Sequence, residues 1–143
     1  VSQVKIAGLM HDIGKIEING KIINKPQSLN PDEWEEIKRH PEIGYRILGS
    51  VSEFSRIADY VLEHQERWDG KGYPRGLKGS EISVQARIIA VADSYDAMTT
   101  NWIYGKALSE VEAIEEMKKC SGSQFDPDIV RMFIEKILGK AWK

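Results

Sequence analysis

A single cysteine in 143 residues, Cys120, excludes an internal disulfide and any zinc module built on thiolates. No run approaches the roughly 18 uninterrupted apolar residues of a membrane span, so no membrane contact is expected from this segment. Neither sign of charge dominates: 20 Lys and Arg against 22 Asp and Glu leave a net −2. A dedicated DNA or RNA binder usually carries a basic face, and this balance supplies none. Histidine is the scarcest polar resource, with only His11, His40 and His64. What is plentiful is ordinary: 41% hydrophobic and 29% charged residues suit a globular chain. This length buries a sizeable core as one domain without crosslinks. The chain opens on Val1 and enters an apolar-periodic segment almost at once, which reads as a piece of something longer.

The periodicity is nearly all helical. Val4, Ala7 and Met10 give one stripe of a short first helix. Asn19-Gly20 and Lys25-Pro26 are turn signals in the loop that follows, with short extended pieces expected at Ile16–Ile18 and Lys21–Ile23. Asn30-Pro31-Asp32-Glu33 opens a helix towards His40, with Asn as N-cap and Pro in the first turn. Pro41 interrupts it, and a further helix covers about Glu42 to Leu48. Ser52 to about Glu66 is helical, with Ile57, Val61 and His64 on one face. Residues Asp69 to Gly79 hold four glycines and one proline, which makes them a loop; unstructured loops of that length tend to be functional. Ser83 to Thr99 reads as a strong helix in which Ala86, Ile89, Ala90, Asp93 and Ala97 share a face. Ser109-x-x-Glu112 is a capping box, and Asp126-Pro127 caps a last helix ending at Gly139. The expected fold is one all-α domain.

Two features carry chemistry. His11-Asp12 ends the first helix, and an adjacent His and Asp can hold one metal while the carboxylate bridges to a second. Asp93 lies among small and apolar residues, where a carboxylate is costly to bury without a cation or hydrogen-bond partner. Together His11, Asp12, His40, His64 and Asp93 form an N/O donor set that suits iron, manganese or zinc. Two metals in it would favour phosphoester hydrolysis. Spacing alone leaves plainer roles open: Asp93 paired with Arg87 or Lys118, Asp12 as a cap, the glycines as turns. Trp34, Trp68, Trp102 and Trp142 read as core or anchoring aromatics.

The ordered segments then add a resemblance. His11-Asp12-Ile13-Gly14-Lys15 and Asp69-Gly70-Lys71-Gly72-Tyr73-Pro74 resemble the two signatures of the HD-GYP family, within the HD superfamily of metal-dependent phosphohydrolases. His40-Pro41-Glu42-Ile43-Gly44, His64-Gln65-Glu66-Arg67-Trp68 and the run Ala86 to Asp93 match in order and approximate spacing. The likeness covers essentially the whole chain.

It implies an HD-type helical bundle with a glycine-rich GYP loop and two or three divalent metals, iron or manganese first, zinc or nickel as alternatives. It implies hydrolysis of cyclic di-GMP, a bacterial second messenger, to pGpG or GMP by a metal-activated hydroxide in the cytoplasm. Carried over by position, His11, Asp12, His40, His64 and Asp93 are the metal ligands, with Asp12 the bridge. Lys15 assists catalysis and binds phosphate, and Lys106 is a second phosphate contact. Asp69, Gly70, Gly72, Tyr73 and Pro74 form the loop beside the site, which also implies contact with a cyclic di-GMP synthase domain. Residues 1–143 then read as a single such domain, lacking its first helix and any upstream sensor domain.

Two departures bear on activity. The family's second consecutive histidine is replaced by Gln65, a weaker ligand than imidazole. Its R-P-Y-R-K stretch aligns with Trp102 to Lys106, where both phosphate-binding arginines are gone. The alternatives are a weakened or non-catalytic signalling module on the same scaffold, or a phosphohydrolase for another nucleotide.

Overall fold

The computed structural model describes residues 2–25, 28–100 and 106–143. Its elements are α1 (Ser2–Met10), α2 (Gly20–Ile23), α3 (Pro31–Ile37), α4 (His40–Gly49), α5 (Ser55–Glu63), α6 (Val84–Thr99), α7 (Glu110–Lys119) and α8 (Pro127–Met132). Short 3-10 turns at Ile13–Glu17, Ser52–Phe54 and Gly79–Glu81 join them. Among the described residues there is no strand, only an isolated bridge between Ser121 and Phe125. Among the described residues, no helix is long and apolar enough to cross a membrane. The all-α expectation holds.

The boundaries follow from local chemistry. Asn30 accepts from the Glu33 amide and Glu33 returns to the Asn30 amide, a closed capping box at the start of α3. Ser109 and Glu112 do the same for α7. Pro41 begins α4 rather than ending α3, because its missing N–H costs nothing in a first turn. Two expectations fail. Ile16–Ile18 and Lys21–Ile23 are not extended: Asp12 O accepts from Lys15 N to start a 3-10 turn, and the Asn19 side chain caps α2 through Lys21 N. Local capping beats a two-residue alternation too short to set a period. The helix expected to reach Glu66 stops at Glu63, with His64 as its C-cap. The Pro26 turn signal lies outside the described residues.

Two apolar clusters share α6. Ala7, Leu48, Ile57, Ala58, Tyr60, Val61 and Ile89 pack α1, α4, α5 and α6 together. Val91, Ile114, Met117, Phe125, Val130 and Ile134 pack α6 against α7 and the C-terminal turns. Ile89 and Val91 thus face opposite cores, so α6 is covered on two sides and Asp93 is carried on a rigid element. Arg87 pins that helix further: Nη1 donates to Asp126 at 2.6 Å, Nε donates to Ile82 O, and the guanidinium stacks 5.8 Å from the Trp68 ring.

Candidate metal centre

Glycine brings the first two donors into place. A Cβ on Gly14 would fall on the carbonyl oxygen of His40 and lie 2.8 Å from Gly44 N. Only a residue without one lets the 3-10 turn after Asp12 lie directly on the first turn of α4. Gly44 in turn leaves room for Val61 of α5. His11 and Asp12 from the end of α1, His40 from the start of α4 and His64 from the end of α5 therefore converge.

All three histidines are oriented in one way. Nδ1 of His11 donates to Gly8 O at 2.6 Å, that of His40 to Ile37 O at 2.7 Å, and that of His64 to Val61 O at 2.6 Å. Each ring thus spends Nδ1 on the carbonyl three residues earlier and turns Nε2 inward, the arrangement that fixes a metal-binding tautomer. His40 and His64 are buried, and burial pushes both pKa values down, that of His64 to about 4. Both are neutral at pH 7. Their Nε2 atoms lie 3.1 Å apart, two lone pairs facing each other with no proton between them. Such a contact is unfavourable until a cation sits between or beside the nitrogens.

Asp12 lies at the centre. Its Oδ1 is 3.5 Å from His40 Nε2 and 3.9 Å from His64 Nε2, and its Oδ2 is 3.1 Å from His11 Nε2. Asp93 Oδ1 meets the same His11 nitrogen at 3.1 Å. Two triads result, Asp12–His40–His64 and His11–Asp12–Asp93, each with donor atoms within 4.8 Å of one another. Asp12 belongs to both. All five residues expected to ligate a metal are thus brought together, and the donor set fits a divalent ion. Asp93 is paired with neither Arg87 nor Lys118, which are taken by Asp126 and Glu115.

Burial opposes protonation of His11, but hydrogen bonds to Asp12 and Asp93 outweigh it and raise its pKa to about 10. Burial acts against the Asp12 carboxylate as well, yet His11 and Lys15 hold it well below the usual range. A proton on His11 therefore stands where a cation would balance two carboxylates. A metal entering that triad must displace this proton, so affinity falls as pH falls below about 10. Chelator competition at pH 6, 7 and 8 should show affinity rising by about tenfold per unit for that ion. A flat profile would show that His11 carries no proton for the metal to displace.

Lys15 Nζ sits 3.4 Å from Asp12 Oδ1 and is partly exposed, a fixed positive charge beside the cluster. Lys106 is exposed, and among the described residues no contact joins it to the cluster. Trp102 and the rest of residues 101–105 lie outside the described residues. The glycine-rich loop is tied down by Glu66, whose buried carboxylate accepts from Arg75 N at 2.7 Å and Leu77 N at 3.0 Å. A Cβ on Gly72 would strike the backbone of Gln65 to Arg67, so the loop lies flat on that segment. Gly70 has φ +82°, a left-handed turn residue. Asp69 pairs twice with Arg67 and accepts from Lys71 N.

A cavity of about 350 Å³ opens beside the cluster, lined by His64 and Asp93, by Lys38, Arg67 and Lys71, and by Trp34, Gln65 and Tyr73. Pro74 lines a different groove, with Arg39 and Arg75. Sequence reasoning missed Trp34, Lys38, Arg67 and Lys71. A signal was available: Trp34 and Lys38 stand one helical turn apart immediately ahead of His40.

A family model described as HD domain matches residues 1–129. A cyclic di-GMP phosphodiesterase of Thermotoga maritima is 44% identical over 137 residues, covering 94% of this chain and 37% of that protein. The 3'3'-cGAMP-specific phosphodiesterase 2 of Vibrio cholerae is 34% identical over 134 residues, covering 92% and 26%. In fold, the chain is similar to an HDGYP protein from Bdellovibrio bacteriovorus, with TM-score 0.75, 19% identity and coverage of 96% and 44%. The chain spans about a third of the length of the curated relatives it matches first.

Proposed function

From a chain that belongs to the HD domain family, we propose a metal-dependent phosphodiesterase domain that cleaves cyclic di-GMP to pGpG or GMP. The observation that carries this reading is the inward convergence of three histidine Nε2 atoms on Asp12. A family built on divalent metals and a donor set of this kind agree. Identity of 44% to a protein named cyclic di-GMP phosphodiesterase supports the substrate.

The roles follow from position. His40 and His64, neutral and with Nδ1 already committed, would hold one ion, and His11 and Asp93 would hold a second, with Asp12 a member of both groups. Such ions would supply an acidified water and neutralise charge developing on phosphoryl oxygens. Lys15 adds a cation that costs no reorganisation when that charge appears. Lys106 remains the proposed second phosphate contact. Gln65 stands where the family carries another histidine, but neither triad depends on it. The finer part of the reading is that the ions are iron or manganese, since the donors are imidazole and carboxylate without thiolate. It also has the loop edge at Pro74 contacting a cyclic di-GMP synthase domain, and residues 1–143 forming one domain that works in the cytoplasm.

The test is hydrolysis of cyclic di-GMP by metal-replete protein, with 3'3'-cGAMP and a mononucleotide phosphoester alongside. Cyclic di-GMP is expected to be cleaved fastest, with activity abolished by chelator and restored by manganese. Preference for 3'3'-cGAMP would move the substrate to that relative's. No cleavage of any of them by metal-replete protein would leave a non-catalytic module.

A further inference from the structure

The capping box at Asn30 and Glu33 fixes a short α3 just ahead of His40, and this sets the direction of its side chains. Trp34 and Lys38 are four residues apart and so share one face. Both line the cavity that also holds His64 and Asp93. Trp34 keeps 46% of its surface exposed, a costly choice for the largest apolar side chain unless something covers it. Its ring stands edge-on to Tyr73 of the glycine-rich loop, 6.3 Å between centroids. The Lys38 ammonium lies 5.6 Å from the Tyr73 ring centroid, and both residues line the cavity. It is bonded to Glu35 at 3.2 Å, which leaves two of its three donors available.

A flat π face one helical turn from an ammonium matches one chemical class well. A purine nucleotide presents a planar base next to an anionic phosphate, and base-on-aromatic stacking is worth about 1–3 kcal/mol by alanine substitution. About 350 Å³ lies at the small end of ligand cavities, room for one nucleotide half rather than a whole cyclic dinucleotide. The Tyr73 ring stands nearly perpendicular to the indole, and Trp34 keeps about half of its surface exposed.

We propose that Trp34 and Lys38 form a nucleotide-binding wall, with Trp34 stacking on one purine of the substrate and Lys38 contacting the phosphate beside it. This rests on the phosphodiesterase reading for the identity of the ligand, but not on turnover. Trp34 is then a specificity residue for purine-bearing phosphodiesters.

The test pairs binding with kinetics. Equilibrium dialysis of the phosphorothioate analogue of cyclic di-GMP, which resists hydrolysis, is run on metal-loaded wild type, Trp34→Ala, Trp34→Phe and Lys38→Gln. Trp34→Ala should bind about tenfold more weakly, and Trp34→Phe should recover most of that loss. Lys38→Gln should weaken binding and flatten its salt dependence. Trp34→Ala should raise KM for cyclic di-GMP while keeping the wild-type metal content, because neither triad includes Trp34. Equal affinities for wild type and Trp34→Ala would overturn the wall, and so would a parallel loss of bound metal in Trp34→Ala. Wild-type binding without cleavage of cyclic di-GMP would sink the catalytic reading and leave the wall standing. No binding by wild type would sink both.

Discussion

Asp12→Ala is expected to empty both triads of metal and to lower cyclic di-GMP turnover by a factor of about a thousand or more. The reason is its double membership. Oδ1 faces His40 and His64 while Oδ2 faces His11, so one substitution removes a donor from each group. Loss of Lewis-acid stabilisation is worth several kcal/mol, and each 1.4 kcal/mol is tenfold in rate. Asp12→Asn separates charge from shape: it keeps the side chain but halves the carboxylate's capacity to bridge, and should restore little. His64→Ala should strip only the first triad and leave the second partly filled. Elemental analysis of the three purified variants, set beside their turnover, checks the ordering. Full metal content in Asp12→Ala would contradict it.

Gly14→Ala should have the second largest effect, and it acts on the fold. The new methyl would fall on the His40 carbonyl and crowd Gly44 N, both backbone atoms that no rotamer change can move. The turn Ile13–Glu17 must then back away from α4, taking Asp12 away from His40. Overpacking of this kind costs about 3 kcal/mol, and at this chain length that lowers the thermal midpoint by about 10 °C. Gly8→Ala is the internal control. It meets nothing within 4 Å, keeps the carbonyl that orients His11, and replaces a glycine inside α1. It should be neutral or stabilise by up to about 1 kcal/mol. Thermal unfolding of the two variants reads the difference directly, and equal midpoints would refute the close-approach argument.

The helices were legible because their signals are local. Asn30, Ser109 and Asp126 announce their caps within three residues, and the period of Ile57, Val61 and His64 needs only one face. The stretch Ile16 to Ile23 was misread because it is too short to separate a period of 2 from one of 3.6. The types of the metal-ligand candidates were also legible, since a chain with three histidines places all of them in family-like segments. Their geometry was not. Nothing local says that His11, His40 and His64 each aim Nδ1 at the carbonyl three residues back, nor that Gly14 exists to admit the His40 carbonyl. Asp93 shows the limit well. Arg87 is near it in sequence, but across 39 residues Asp126 holds that guanidinium, and a contact of such separation is decided by packing. Trp34 was read as an anchoring aromatic for the same reason, because the cavity beside it is made by α3, the glycine-rich loop and α6 together.

The central claim is that the facing Nε2 atoms of His40 and His64, with Asp12 beside them, exist to hold metal. The most direct measurement is elemental analysis of wild-type protein purified without added metal, paired with its rate on cyclic di-GMP before and after chelation. The account predicts up to two divalent ions per chain, one for each triad, and a rate that falls with their removal and returns with manganese. A protein that arrives free of divalent metal, takes none up, and still cleaves cyclic di-GMP would contradict it.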